Sequence, residues 1–203
     1  MTTKRREATR DRLVAAGREL VAEVGIQAAS VEAICERAGF TRGAFYSNYR
    51  SKDELVREIL EREKQRIVEL MEAVVDAAPR EGEDGVQAVL RAAESFLAAY
   101  PSDRTSFLVH LEFVTHGVRE RAVADIHREL WQQTCGEIMS VLERGVTLLG
   151  GRLVLSVEQA AVALMGAYEV AMRDALLESD ADEADVTQLQ ELIGAMLGAF
   201  VVA

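Results

Sequence analysis

The densest group of hydrogen-bonding side chains lies between Thr41 and Lys52, where Thr41, Arg42, Tyr46, Ser47, Asn48 and Lys52 bring hydroxyls, a guanidinium, an amide and an ammonium into one short segment. None of these is a nucleophile with a base at matching spacing. They are groups that bond to phosphate oxygens, and the guanidinium can also bridge O6 and N7 of guanine. Gly43, in their midst, has no side chain and lets a backbone come close to a flat partner surface.

Two short helices are needed to position such a set. Val31, Ile34, Cys35 and Ala38 follow the i, i+3, i+4, i+7 spacing of one apolar stripe, with Ser30 placed as its N-cap. Gly39 supplies the turn, since it can take the positive φ that ends a helix abruptly. Thr41 is the next N-cap. Phe45 and Tyr49 anchor a second helix, leaving a face with Arg42, Gly43, Tyr46, Ser47 and Asn48 open. Ser51 and Glu54 have capping-box spacing and start a further helix, which directs Lys52 to the same side. This is a helix-turn-helix, with Ser30, Thr41, Arg42, Gly43, Tyr46, Ser47, Asn48 and Lys52 as the expected DNA-facing set.

The run Gly39-Phe-Thr-Arg-Gly-Ala-Phe-Tyr-Ser-Asn-Tyr-Arg-Ser-Lys52 resembles the recognition-helix region of the TetR family of transcriptional regulators, whose usual wording is Gly-Val-Ser-Lys-Gly-Thr-Leu-Tyr-His-Tyr-Phe-Pro-Ser-Lys. The glycines, the tyrosine and the final Ser-Lys are shared, while Ser47 and Asn48 depart from the family pattern and leave the operator sequence open. The resemblance implies phosphate contacts for Tyr46 and Lys52, a helical effector-binding domain and a dimer.

Charge divides along the same line. The 203 residues carry a formal charge of −11, yet residues 1–52 hold 10 Lys and Arg against 6 Asp and Glu, and residues 53–203 hold 13 against 28. Lys4, Arg5, Arg6, Arg10 and Arg12 gather at the start, where they could make DNA binding salt dependent. Cys35 and Cys135 read as reduced thiols of a cytoplasmic protein. No apolar run has the length of a membrane span, and no signal-peptide pattern occurs.

With Pro limited to Pro79 and Pro101 and few strand-like runs, the expected fold is all-α, with about nine helices. A three-helix DNA-binding domain over residues 1–53 begins with a stripe from Leu13 to Val24 that Gly25 ends. A larger effector-binding and dimerisation domain covers 54–203, linked by a long helix starting near residue 52. The charged stretch from Glu61 to Arg66 marks where that helix passes between domains. Further stripes cover 86–100, 107–118, 123–146, a helix opened by the Ser156–Gln159 capping box, and a last one from Val186 to Phe200. The 107–118 segment, apolar on nearly every side, is expected at the centre of the second domain.

The two C-terminal helices are rich in small residues and apolar on more than one face, which points to a homodimer through a four-helix interface. Candidate effector-pocket residues are Phe96, Tyr100, Phe107, His110, Glu112, Phe113, His116, Trp131, Cys135, Met139, Met165, Tyr168 and Met172, suited to a hydrophobic small molecule. Glu112, a carboxylate in an apolar stretch, needs a partner: an internal Arg or Tyr, a cationic effector, or a metal shared with His116. Three histidines without metal-ligand spacing argue against the metal, and no cofactor or enzyme motif is found. The expected function is a DNA-binding transcriptional repressor that binds a pseudo-palindromic operator as a dimer and is released by a small effector. The alternative is a helical ligand carrier or protein-interaction module without sequence-specific DNA binding.

Overall fold

The computed structural model describes residues 3–76, 102–120, 152–178, 181–185 and 187–202, with single positions between 91 and 143. Among these residues the helices are α1 (Thr3–Ala28), α2 (Val31–Ala38), α3 (Arg42–Tyr46), α4 (Lys52–Asp76), α5 (Arg104–Arg119), α6 (Val157–Glu178) and α7 (Thr187–Phe200). Two short strands, β1 (Arg152–Leu153) and β2 (Val201–Val202), pair antiparallel with Arg152 opposite Val202. The all-helical expectation thus holds apart from this one ribbon. The helices expected over 86–100 and 123–146 fall largely outside the described residues.

Contacts group the chain into two units, one comprising Met1–Lys64 with Thr105–Leu130 and the other Gln65–Arg104 with Trp131–Ala203. The change within α4 falls inside the charged stretch, after Lys64 rather than at residue 53. Its first half belongs with the N-terminal helices because Leu55 and Ile59 are buried in their core.

That core is made of Leu13, Val14, Ala16, Leu20 and Val21 of α1, Ile34, Cys35 and Ala38 of α2, Phe45 of α3, Tyr49, the two α4 residues, and Val109 and Phe113 of α5. Each fully buried aliphatic or aromatic side chain contributes about 1.5–3 kcal/mol relative to exposure. Helix α5 therefore corrects the expectation for 107–118. It packs with the N-terminal unit, because its apolar residues Val109 and Phe113 complete the core that α1, α2, α3 and the first half of α4 form.

Local chemistry explains where these helices stop. Ser30 Oγ accepts the Ala33 N–H at 3.1 Å, and Gly39 at φ 68° ends α2 with Gly39 N–H on the Glu36 carbonyl and Phe40 N–H on that of Cys35. Those two bonds form a Schellman motif. Within α1, Gly25 (φ 82°, ψ 163°) breaks the helix where its apolar stripe ends, and one further turn follows to Ala28.

In the second unit, Ser156 and Gln159 exchange both capping-box bonds, Gln159 N–H to Ser156 Oγ at 3.2 Å and Ser156 N–H to Gln159 Oε1 at 3.0 Å. Ala160, Ala161, Met172 and Leu176 of α6 and Leu189 and Ile193 of α7 are buried. The Arg104 guanidinium donates to the Leu176 carbonyl at 3.2 Å, satisfying a carbonyl near the end of α6.

Candidate nucleic-acid interface

Thr41 caps α3 as its sequence position requires, its Oγ1 accepting the Ala44 N–H at 3.3 Å. The five-residue helix that follows buries Phe45 and leaves Arg42, Gly43 and Tyr46 outside. Phe45 stacks edge-on with Tyr46 at 5.3 Å between centroids and against Tyr49 at 5.5 Å. Tyr46 itself is 50% exposed, and its side chain hydrogen-bonds to that of Arg42. Arg42 lies beside it, its guanidinium carbon 5.9 Å from the ring centroid and Nη1 2.6 Å from Glu32 Oε1. A Cβ added at Gly43 would meet only Thr41 Oγ1, at 3.7 Å. The fold does not require a glycine there.

Two members of the expected set point elsewhere. Asn48 is 6% exposed; its Nδ2 donates to the Ala44 carbonyl at 2.8 Å and to Ser47 Oγ at 3.2 Å, while Oδ1 is buried without a partner among the described residues. It follows the last helical residue, so the face extrapolated from α3 does not extend to it. Lys52 Nζ donates to the carbonyls of Ile26 at 2.7 Å and Gln27 at 3.1 Å, which uses its ammonium to close the last turn of α1. Ser47 is exposed, with its Oγ donating to the Ala44 carbonyl at 2.8 Å. Ser30 is exposed at the start of α2.

The basic residues at the start divide similarly. Lys4, Arg5 and Arg6 are exposed on the first turn of α1, as is Arg50 in the loop before α4. Arg12 instead donates to the Ala38 carbonyl at 2.7 Å and lies over the Phe40 ring at 4.6 Å, fastening α1 to the helix-turn-helix bend. Arg10 lies 4.6 Å over the Tyr49 ring and pairs with Glu58 of α4, which also accepts from Tyr49 Oη at 2.9 Å and from Arg62 Nη2 at 2.6 Å. Burial works against the Glu58 charge, but hydrogen bonds from Arg10, Arg62 and Tyr49 outweigh it and hold the carboxyl below its ordinary value. Burial and the bond to Glu58 push the Tyr49 phenol up, keeping it a neutral donor. Burial likewise raises the Cys35 thiol, which is not poised as a nucleophile.

Glu112 finds a partner that the sequence did not suggest. Its Oε1 accepts the Ile26 backbone N–H at 3.0 Å, within the N-terminal unit. Phe113 is part of that unit's apolar cluster and Phe107 is buried on the same helix, while His110 and His116 are half-buried there. Of the remaining effector candidates, Met172 is fully buried, Met139, Met165 and Tyr168 are half-buried in the second unit, and Phe96, Tyr100, Trp131 and Cys135 lie outside the described residues. Among the described residues no group of His, Cys, Asp and Glu is arranged to hold a metal ion, and no helix is long and apolar enough to cross a membrane.

Comparison with known proteins agrees with this geometry. Residues 13–59 match the model of the tetR family of bacterial regulatory proteins. The chain is 32% identical over 135 residues to an uncharacterized HTH-type transcriptional regulator, YwcC, of Bacillus subtilis, covering 63% of this chain and 59% of that protein. It is 28% identical over 116 residues to the HTH-type transcriptional regulator UidR of Escherichia coli K12, covering 57% and 55%. The chain thus spans little more than half the length of these curated relatives. In fold it resembles Salmonella enterica GusR (TM-score 0.70, 18% identity, 95% of this chain and 94% of that one). It also resembles a Saccharomonospora viridis protein solved in complex with choline (TM-score 0.71, 15% identity, 97% and 99%). By the match over residues 13–59 and a helix-turn-helix built as that motif requires, the N-terminal part of the chain is similar to the tetR family of bacterial regulatory proteins.

Proposed function

We propose that this chain is a cytoplasmic, dimeric transcriptional repressor that reads a pseudo-palindromic operator through α3 and releases it on binding a small effector. The observation that carries the reading is the outer face of α3, where Arg42 and Tyr46 flank a glycine that nothing among the described residues requires. A bare backbone between a guanidinium and a phenol allows close approach to a groove floor, with the guanidinium within reach of base edges.

A two-fold arrangement is supported by the second unit. Val162, Gly166, Val170 and Leu177 lie on one face of α6 by their spacing, with Val162 70% and Leu177 78% exposed. Among the described residues, a Cβ at Gly166, or at Gly194 of α7, would meet nothing within 4 Å. Small and apolar residues left open on adjacent helices suit a second copy of the same pair. Such a dimer presents two recognition helices to half-sites about one helical turn (~34 Å), or a multiple of it, apart.

The effector is a small, hydrophobic molecule held in the second domain. It acts through its differential affinity for dimer forms that bind operator well or poorly, with α4, continuous from Lys52 to Asp76, carrying the change. Selection of bound duplexes from a random pool, at two salt concentrations, tests the reading. An enriched inverted repeat supports it; an unenriched pool replaces it with the carrier or interaction module.

A further inference from the structure

Glu32 occupies the first turn of α2, where a carboxylate is favoured by the helix dipole, and its Oε1 meets Arg42 Nη1 at 2.6 Å. Both side chains face solvent, 58% and 61% exposed, so the pair does not serve the core. Exposed pairs of this kind contribute little to stability. It does alter the surface on which Arg42 acts, because a carboxylate now stands beside the guanidinium at the outer end of α3.

We propose that Glu32 is a specificity-positioning residue of the DNA surface: by holding Arg42 through Nη1, it presents the remaining guanidinium edge to a guanine and discourages its use on phosphate. The inference rests on the DNA-binding reading above. An unrestrained arginine bonds to any backbone phosphate, and such contacts raise affinity for all sequences alike. With Nη1 on Glu32 and a further hydrogen bond to Tyr46, the guanidinium plane is fixed, and those of its five N–H donors that are left match the O6 and N7 acceptors of guanine. The Glu32 charge repels phosphates wherever Arg42 is not seated on a base. Non-cognate duplexes lose affinity, and the cognate one loses little, because there the guanidinium lies between its carboxylate and the guanine.

The test compares wild type, Glu32→Gln, Arg42→Ala and the double variant on the duplex that wild type selects and on a scrambled duplex of the same composition. For Glu32→Gln the expected result is tighter binding to scrambled DNA and a fall of about tenfold in the selected-to-scrambled ratio, with relaxed preference at one G·C position in each half-site. In the Arg42→Ala background the Glu32→Gln change should leave the ratio unaltered, which places the effect of Glu32 on Arg42, and the relaxed preference at one G·C position is the readout that loss of a merely structural contact would not produce. An unchanged ratio in Glu32→Gln, or an equal loss on both duplexes, overturns the inference while leaving the DNA-binding reading intact. A wild-type chain that selects no duplex overturns both.

Discussion

Glu112 Oε1 accepts the Ile26 N–H at 3.0 Å, and the same oxygen would stand 2.9 Å from a Cβ at Gly25. The break in α1 frees an N–H that the helix cannot satisfy, and a carboxylate from α5 supplies the acceptor. At the other end of the same turn, the carbonyls of Ile26 and Gln27 are taken by Lys52. One turn of α1 is thus held at its start by α5 and at its end by the first residue of α4.

Gly25→Ala is expected to destabilise the N-terminal unit by about 1–3 kcal/mol from its backbone conformation, with a further loss from the contact with Glu112. Urea denaturation followed by circular dichroism measures this. In the Glu112→Ala background, where that contact is gone, Gly25→Ala should cost the backbone term alone. No further loss on adding Gly25→Ala to Glu112→Ala would show that backbone strain at Gly25 is negligible.

Acid should loosen the α1–α4 clamp through Glu58. Its folded carboxyl is held below the ordinary value of 4.5, so its contribution is fully present above that pH and is lost as pH falls through the lowered folded value. Denaturation midpoints of wild type and Glu58→Gln should therefore differ most at neutral pH and converge as the solution is taken below about pH 4. A difference that stays constant down to pH 3 would remove Glu58 from the account.

Gly43→Ala separates folding from recognition. In the folded chain the new methyl group has room, and replacing a helical glycine should raise stability by about 0.5–1 kcal/mol. On DNA the same methyl group stands between the α3 backbone and the groove, and affinity for the selected duplex should fall by about tenfold or more. Thermal melting and a binding titration on one preparation read both effects.

The open face of α6 makes a prediction about assembly. Val162→Glu or Leu177→Glu would place a charge in the proposed two-fold interface and should raise the dimer dissociation constant by at least about tenfold, read by sedimentation velocity across a concentration series. Helix content should not change, because both side chains face solvent within one chain.

The local devices were legible in the sequence. Ser30, Gly39, Thr41 and the Ser156–Gln159 box act within three or four residues of themselves, so side-chain type and spacing determine them. Glu54 departs slightly, reaching the Arg50 N–H at 2.6 Å while Ser51 Oγ accepts from Glu54 N–H at 3.3 Å. Asn48 departs from the helical periodicity because α3 stops at Tyr46 and a turn directs the amide inward. Lys52 and Glu112 bond to backbone groups 26 and 86 positions away, and neither composition nor periodicity encodes a partner at that range. The stripe over 107–118 announced burial without saying in which core, since an apolar face fits any complementary one.

The most direct test of recognition through α3 is the ratio of affinities for the selected duplex and its scrambled counterpart, measured for wild type and Arg42→Ala at two salt concentrations. The expected result is a ratio that falls by about tenfold or more in Arg42→Ala, with the wild-type preference for guanine lost at the position it reads. Equal ratios for the two proteins at both salt concentrations would contradict base reading by Arg42 and remove α3 as the source of specificity.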